Sequence, residues 1–309
     1  MGGPRDRQTT LAGSVRITGT GVHSGEAVSV TIGPAEAGTG FTFVRGGTAD
    51  RHQEIRANYR SVGSTDLCTT LKSGDWSIGT VEHILAALTG IGVDNAIILV
   101  DGPEIPAVDG SAAPFVAAID EAGIVALDAP RAHIRVLRPF RVEQGLSYAE
   151  LRPYDGRRFE IELDFASPVI GRQRFAADVT PGVFRREMAA ARTFGFLGEV
   201  EQLWSRGLAR GASLENALVI GDAGVINPGG LRFPDEFVRH KAVDAVGDLA
   251  LAGAPILGAY RSYRGGHRLN ARMVEAFLAT DAWEWVSAPS SRPGRHAALA
   301  QAALEPELT

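Results

Sequence analysis

The chain has 309 residues, 45% of them hydrophobic, and a formal net charge of −5, a balance that suits a globular protein with two cores of about 125–150 residues each. An acidic charge without any polybasic run argues against nucleic acid or an anionic membrane surface as partner. The single cysteine, Cys68, excludes an intramolecular disulfide and suits a reducing compartment. Residues 1–7 lack an apolar signal core and no apolar run reaches about 18 residues, so the cytoplasm is the expected location, with no stable membrane insertion.

Residues 1–7 read as a disordered N-terminus. Period-two patterning over residues 14–18 and 28–32, around the turn Gly19-Thr20-Gly21-Val22-His23-Ser24-Gly25, predicts a hairpin. Thr80 is the expected N-cap of a helix whose apolar positions Val81, Ile84, Leu85 and Leu88 follow i, i+3, i+4, i+7 spacing and which ends at Gly90. A buried strand over 95–100 follows, then a turn-rich loop, then a helix capped by Ser111 that carries Phe115, Val116 and Ile119 to Gly123. Leu127, Asp128, Ala129 and Pro130 read as a linker.

From Arg131 strands followed by helices begin again. Residues 197–220 hold a short helix with Val200, Leu203 and Trp204 on one side and an apolar run over 217–220. This segment is either an extra core layer or the wall of an apolar passage. A helix then starts near Phe237, followed by Gly253, a strand over 256–260, the loop Arg264-Gly265-Gly266-His267 and a helix to Leu278. Residues 286–309 read as a flexible tail.

These elements repeat those of the first half. From His83 to Ser111 is 28 residues and from His240 to His267 is 27, so each half sets a histidine in the same place in a helix–strand–helix unit. A degenerate internal duplication follows. If the halves pack about a pseudo-two-fold axis, His83 and His240 face each other across the seam.

At about 100° per residue, Val238, Ala242, Ala245, Val246 and Leu249 form one stripe, and His240, Asp244 and Asp248 lie on a flank roughly 90–140° away. An imidazole and a carboxylate at i and i+4 project side by side. With His83 from the other half they make the N/N/O set of a catalytic Zn2+ that keeps a fourth position for water. Glu82 is either an ordinary acid at a helix start or the general base beside that water. Asp248 is one carboxylate more than the metal needs, and pairing with His267 would favour the imidazolium. His52, His133 and His296 read as structural or exposed, and His23 stays open. Only Lys72 and Lys241 among 31 basic residues are lysine, so Lys241 is either a leftover or a site where a compact ammonium fits and a planar fork does not.

The segments Thr80-Val81-Glu82-His83, Asp109-Gly110-Ser111-Ala112, Ala191-Arg192-Thr193-Phe194-Gly195-Phe196, Gly229-Gly230-Leu231-Arg232-Phe233, the helix from Phe237 and Gly266-His267 stand together in one order. In this the chain resembles the UDP-3-O-acyl-N-acetylglucosamine deacetylases, zinc amidases of lipid A biosynthesis in Gram-negative bacteria, from about Gln8 to Thr280. The resemblance implies an α+β fold of two similar two-layer α/β sandwich domains, 8–126 and 131–285, with the site between them. It implies His83, His240 and Asp244 as zinc ligands, Glu82 as general base, His267 as electrostatic stabiliser and general acid oriented by Asp248, and Thr193 as donor to the tetrahedral intermediate. Phe194 would contact the glucosamine ring, with Phe196 and Cys68 also facing substrate, and Lys241 and Arg264 would lie toward the diphosphate. The insert over 197–220 becomes an acyl passage, and the protein a monomer with a UDP-linked acylated sugar as its partner. Arg264 stands where some members have lysine, and the lysine that some carry near Gly145-Leu146-Ser147-Tyr148 is missing. That absence keeps open a zinc amidase acting on another N-acyl sugar. An inactive nucleotide-sugar- or lipid-binding homologue should have lost a ligand or the base, and all are present.

Overall fold

A computed structural model describes residues 7–45 and 53–286; the expectations for residues 1–6, His52, His296 and the tail beyond Val286 fall outside them. The first half builds a five-stranded sheet from β1 (Val15–Thr20), β2 (Ala27–Gly33), β3 (Phe41–Arg45), β4 (Glu54–Arg56) and β5 (Ala96–Val100), in the order β1-β2-β5-β3-β4. The hairpin β1–β2 is antiparallel, with Val15 opposite Ile32, and β5 runs antiparallel to β2 and parallel to β3. In the second half β6 (Phe140–Gln144), β7 (Ser147–Arg152), β8 (Arg157–Asp164), β9 (Arg172–Asp178) and β10 (Ile256–Tyr263) adopt β6-β7-β10-β8-β9. There β10 is antiparallel to β7 and parallel to β8. These five strands repeat the topology of the first sheet, the duplication expected from the spacing, and Ile134–Val136 and Trp283–Trp285 extend the second sheet to seven.

Each sheet is covered by two helices: α1 (Glu82–Ile91) and α2 (Ala113–Ala122) in the first half, α3 (Glu236–Leu249) and α4 (His267–Leu278) in the second. Ile84, Leu85 and Leu88 of α1 are wholly buried, and each such side chain removed from water contributes about 1.5–3 kcal/mol before entropy is counted. Helices α1 and α3 pack on each other at the seam, closely enough that a Cβ on Gly247 would lie 2.0 Å from the Glu82 carbonyl oxygen. The polar flank of α3 is buried with its apolar stripe: His240, Asp244 and Asp248 are each 1% exposed. A helix buried all round with acids on it needs partners for each of them.

Three local expectations change. Thr80 does not cap α1: it sits at φ 57° and its hydroxyl donates to Glu104 Oε1 at 2.7 Å, while Val81 occupies the cap and Gly92, at φ 95°, ends the helix. Ser111 lies one residue before the Ala112 cap of α2, although its Oγ accepts from the Ala113 N–H. Residues 127–130 are no linker, because Ile124–Pro130 forms a strand antiparallel to Arg7–Leu11. Backbone pairing with the chain's first described residues, invisible to local composition, overrides the turn signal there, and it makes Arg7 the start of a strand.

In the second half the turn Pro181–Val183 leads into a π-helical turn, Phe184–Met188, before a small sheet of Phe194–Phe196, Leu218–Gly221 and Gly224–Val225. A short helix, Val200–Ser205, lies between the first two of these strands. Leu197, Trp204 and Leu214 are exposed, whereas Leu218 and Ile220 join the buried core, so only the end of this segment adds to the core.

Candidate active site

The α1–α3 contact brings the start of one helix against the middle of the other. His83 and His240 meet edge to face with ring centroids 5.0 Å apart. Asp244 Oδ1 lies 3.3 Å from His240 Nε2 and 3.6 Å from His83 Nε2. The three donor atoms fall within 4.8 Å of one another. The Ala191 carbonyl can only accept, so at 3.0 Å it fixes the proton on His240 Nδ1 and leaves the Nε2 lone pair toward Asp244. Burial lowers the pKa of His240 to about 3 against the pull of Asp244, which keeps the ring neutral as a ligand must be. Burial also works against the Asp244 carboxylate, but the surrounding histidines and Lys241 hold it well below the usual range. Asp244 Oδ1 is buried with no hydrogen-bond donor among the described residues. Two imidazole nitrogens and an orphaned carboxylate oxygen converging in this way fit a divalent metal ion.

Two acid–base groups border the triad. Glu82 Oε2 accepts the Thr69 backbone N–H at 3.0 Å, and its other oxygen lies 3.9 Å from His267 Nε2. Burial raises the pKa of Glu82, with His267 and His83 opposing. His267 opens α4 behind Gly266, and its Nδ1–H donates to Asp248 Oδ2 at 2.9 Å. Burial would discharge this ring, but Asp248, Glu82 and Asp244 outweigh it and push its pKa up to about 10. The site therefore holds a neutral histidine on one side and an imidazolium on the other, because burial outweighs Asp244 at His240 while three carboxylates outweigh burial at His267.

The flanks are less enclosed. Phe194 stands edge-on to Phe237 at 5.0 Å and to His240 at 6.3 Å, and Phe196 leans on Phe165. The Thr193 N–H is tied to the Gly110 carbonyl at 2.8 Å, while its hydroxyl takes no partner among the described residues. Lys241 makes a 2.9 Å ion pair with Asp244 Oδ2 and lies 5.3 Å from the Phe194 ring. It also lines a cavity of about 290 Å³ with Ser147, Asp164, Phe165 and Arg264. A larger cleft of about 440 Å³, lined by Arg56, Tyr59, Asp94 and Trp285 among others, contains none of the triad. Cys68 is buried, its Sγ 3.9 Å from Thr70 Oγ1, and burial pushes its pKa up to about 12.

A family profile described as UDP-3-O-acyl N-acetylglycosamine deacetylase matches residues 8–279. The chain belongs to this family. Proteins named UDP-3-O-acyl-N-acetylglucosamine deacetylase from Brucella ovis, Brucella canis and Brucella suis are each 51% identical to it over 275 residues, 89% of this chain and 96% of theirs.

All five residues on which the sequence argument turned, Glu82, His83, His240, Asp244 and His267, meet at the seam. Sequence reasoning missed Thr69, Asn270, Glu236 and the Ala191 carbonyl. Asn270 donates to Asp248 Oδ2 at 2.8 Å and accepts from Tyr260 Oη at 2.6 Å. Glu236, wholly buried, takes both the backbone and the guanidinium of Arg192. Asn270 follows His267 by three residues on α4, a spacing that could have flagged it. No local pattern announces Thr69. His23, which the sequence leaves open, accepts the Ala209 N–H on Nδ1 at 3.4 Å and so touches the 197–220 segment rather than the triad. His133 is half-buried and directly precedes the strand Ile134–Val136, which pairs with β10 on one side and Trp283–Trp285 on the other.

Proposed function

We propose that this chain hydrolyses the acetamide of UDP-3-O-acyl-N-acetylglucosamine, releasing acetate in lipid A biosynthesis, with zinc held by His83, His240 and Asp244. The observation that carries this reading is the orphaned Asp244 oxygen facing two imidazole nitrogens, with a buried carboxylate and an imidazolium on either side of it. Zinc at such a site supplies Lewis acidity, lowering the pKa of water and polarising the amide carbonyl. Glu82, steadied by the Thr69 N–H, takes a proton from the attacking water as the new carbon–oxygen bond forms. The imidazolium of His267, oriented by Asp248, and the Thr193 hydroxyl stabilise the charge developing on the acetamide oxygen. His267 Nε2–H then protonates the departing amine as the carbon–nitrogen bond breaks, and the proton gathered by Glu82 restores the ring across their 3.9 Å separation.

Around this chemistry, Phe194 stacks on the glucosamine ring, with Phe196 and the Cys68 side of the cleft completing its walls. Arg264, exposed at φ 51°, and the Lys241 side of the cavity face the diphosphate. Ser147 lines the same cavity. The exposed Leu197, Trp204 and Leu214 support a passage for the acyl chain over 197–220. Among the described residues no helix is long and apolar enough to cross a membrane. We place the enzyme in the cytoplasm as a monomer of two domains that meet at about residue 130.

A deacetylation assay on this substrate with metal analysis tests the reading. His240→Ala should lose metal and activity together. Glu82→Ala should keep metal and lose about 10²–10⁴-fold in kcat, the usual worth of a positioned base. Full activity after complete metal removal would overturn the mechanism.

A further inference from the structure

We propose that Thr69 is a positioning residue that holds the base Glu82 and the Asp248–His267 pair in register across the seam between the two halves. Thr69 is 1% exposed and anchored at three atoms. Its N–H donates to Glu82 Oε2 at 3.0 Å, its carbonyl accepts the Val81 N–H at 3.3 Å, and its hydroxyl donates to Asp248 Oδ1 at 2.6 Å. One residue of the first half thus fixes the carboxylate that removes a proton and the carboxylate that orients the proton donor. The loop that presents it is held in an unfavourable conformation, with Leu67 at φ 68°, a cost that packed surroundings sustain and that clusters at functional sites.

Donor accounting shows why the hydroxyl matters. Asp248 Oδ2 receives His267 Nδ1–H at 2.9 Å and Asn270 Nδ2 at 2.8 Å, both from α4 of its own half. Oδ1 receives Thr69. In a carboxylate 1% exposed, removing that donor leaves one oxygen bare. The group then turns to share the two remaining donors, and the His267 ring turns with it. The tilt of His267 Nε2 toward the reacting atoms is set by a hydroxyl that touches neither the ring nor the substrate.

The inference rests on the roles proposed for Glu82 and His267, so its test reads both turnover and the ring itself. Thr69→Val keeps the backbone N–H to Glu82 and the branched shape but deletes the hydroxyl; Thr69→Ser keeps the hydroxyl. In steady-state assays with UDP-3-O-acyl-N-acetylglucosamine, Thr69→Val should lower kcat by about 10- to 100-fold, the worth of a hydrogen bond to a charged group. KM should stay within about twofold and Thr69→Ser within about threefold of wild type in kcat, the pattern of a group that acts in the transition state. Bound metal should be unchanged. In spectra of 15N-histidine-labelled protein, the His267 Nδ1–H signal should shift or broaden in Thr69→Val and return in Thr69→Ser. Wild-type kcat in Thr69→Val, an equal loss in Thr69→Ser, loss of metal, or an unmoved His267 signal would each overturn the proposal. If the wild-type protein does not turn this substrate over, the functional reading fails, and the His267 signal alone decides the role of Thr69.

Discussion

Gly247→Ala is the smallest change that should disable the seam. A Cβ at this position would lie 2.0 Å from the carbonyl oxygen of Glu82, 2.8 Å from its carbonyl carbon and 3.1 Å from its Cα. Ordinary contact begins at 3.4 Å, so α1 and α3 must part by about 1.4 Å at this point. The obstacle is backbone, and no rotamer change relieves it. Overpacking of this kind costs about 1–3 kcal/mol, against about 1 kcal/mol gained by replacing glycine with alanine inside a helix. The expected net loss of about 1 kcal/mol lowers Tm by about 2–4 °C. The catalytic loss should be larger, because the displaced carbonyl belongs to the base itself and the adjacent His83 moves with it. A misplacement of about 1 Å at reacting groups costs about 10²-fold. Thermal melts, metal titration and kcat on one preparation would show a modest loss of stability, weakened metal binding and a collapse in turnover. A variant that melts with the wild type and turns over normally would refute the claim that this helix contact sets the site.

Two further outcomes follow from the same geometry. Cys68, its thiol pushed up to about 12 by burial, should react with a disulfide reagent about a thousandfold more slowly at pH 7–8 than an exposed cysteine. Labelling the native and the urea-unfolded protein measures this, and rapid labelling of the native state would contradict it. Glu236→Ala leaves the Arg192 guanidinium unpaired at the start of α3 and should destabilise the protein by about 3–5 kcal/mol. Urea denaturation checks this, and a change under about 1 kcal/mol would refute the assignment of the buried pair as the anchor of the helix that carries His240 and Asp244.

Local spacing carried much of this site. His240 and Asp244 at i and i+4 must lie side by side on any helix, and a repeated helix–strand–helix order implies a second histidine opposite the first. The same rules fail where a long-range partner outbids a local one. Thr80 has the side chain of a helix cap, yet Glu104 draws its hydroxyl away. Residues 127–130 have the composition of a linker, yet they pair with the chain's first described strand.

The sequence by itself determined that two related halves would each contribute ligands, because helical periodicity and element order are properties of the chain. Tertiary structure alone decided the protonation of the site. His240 is neutral because burial disfavours charge, with the Ala191 carbonyl fixing which nitrogen keeps the proton, while His267 is charged because three carboxylates surround it. It also decided that Thr69 would clamp two acids and that Lys241 would share its charge with Asp244. These facts depend on distances between residues far apart in the chain, and electrostatic energies at the seam follow those distances rather than position in sequence.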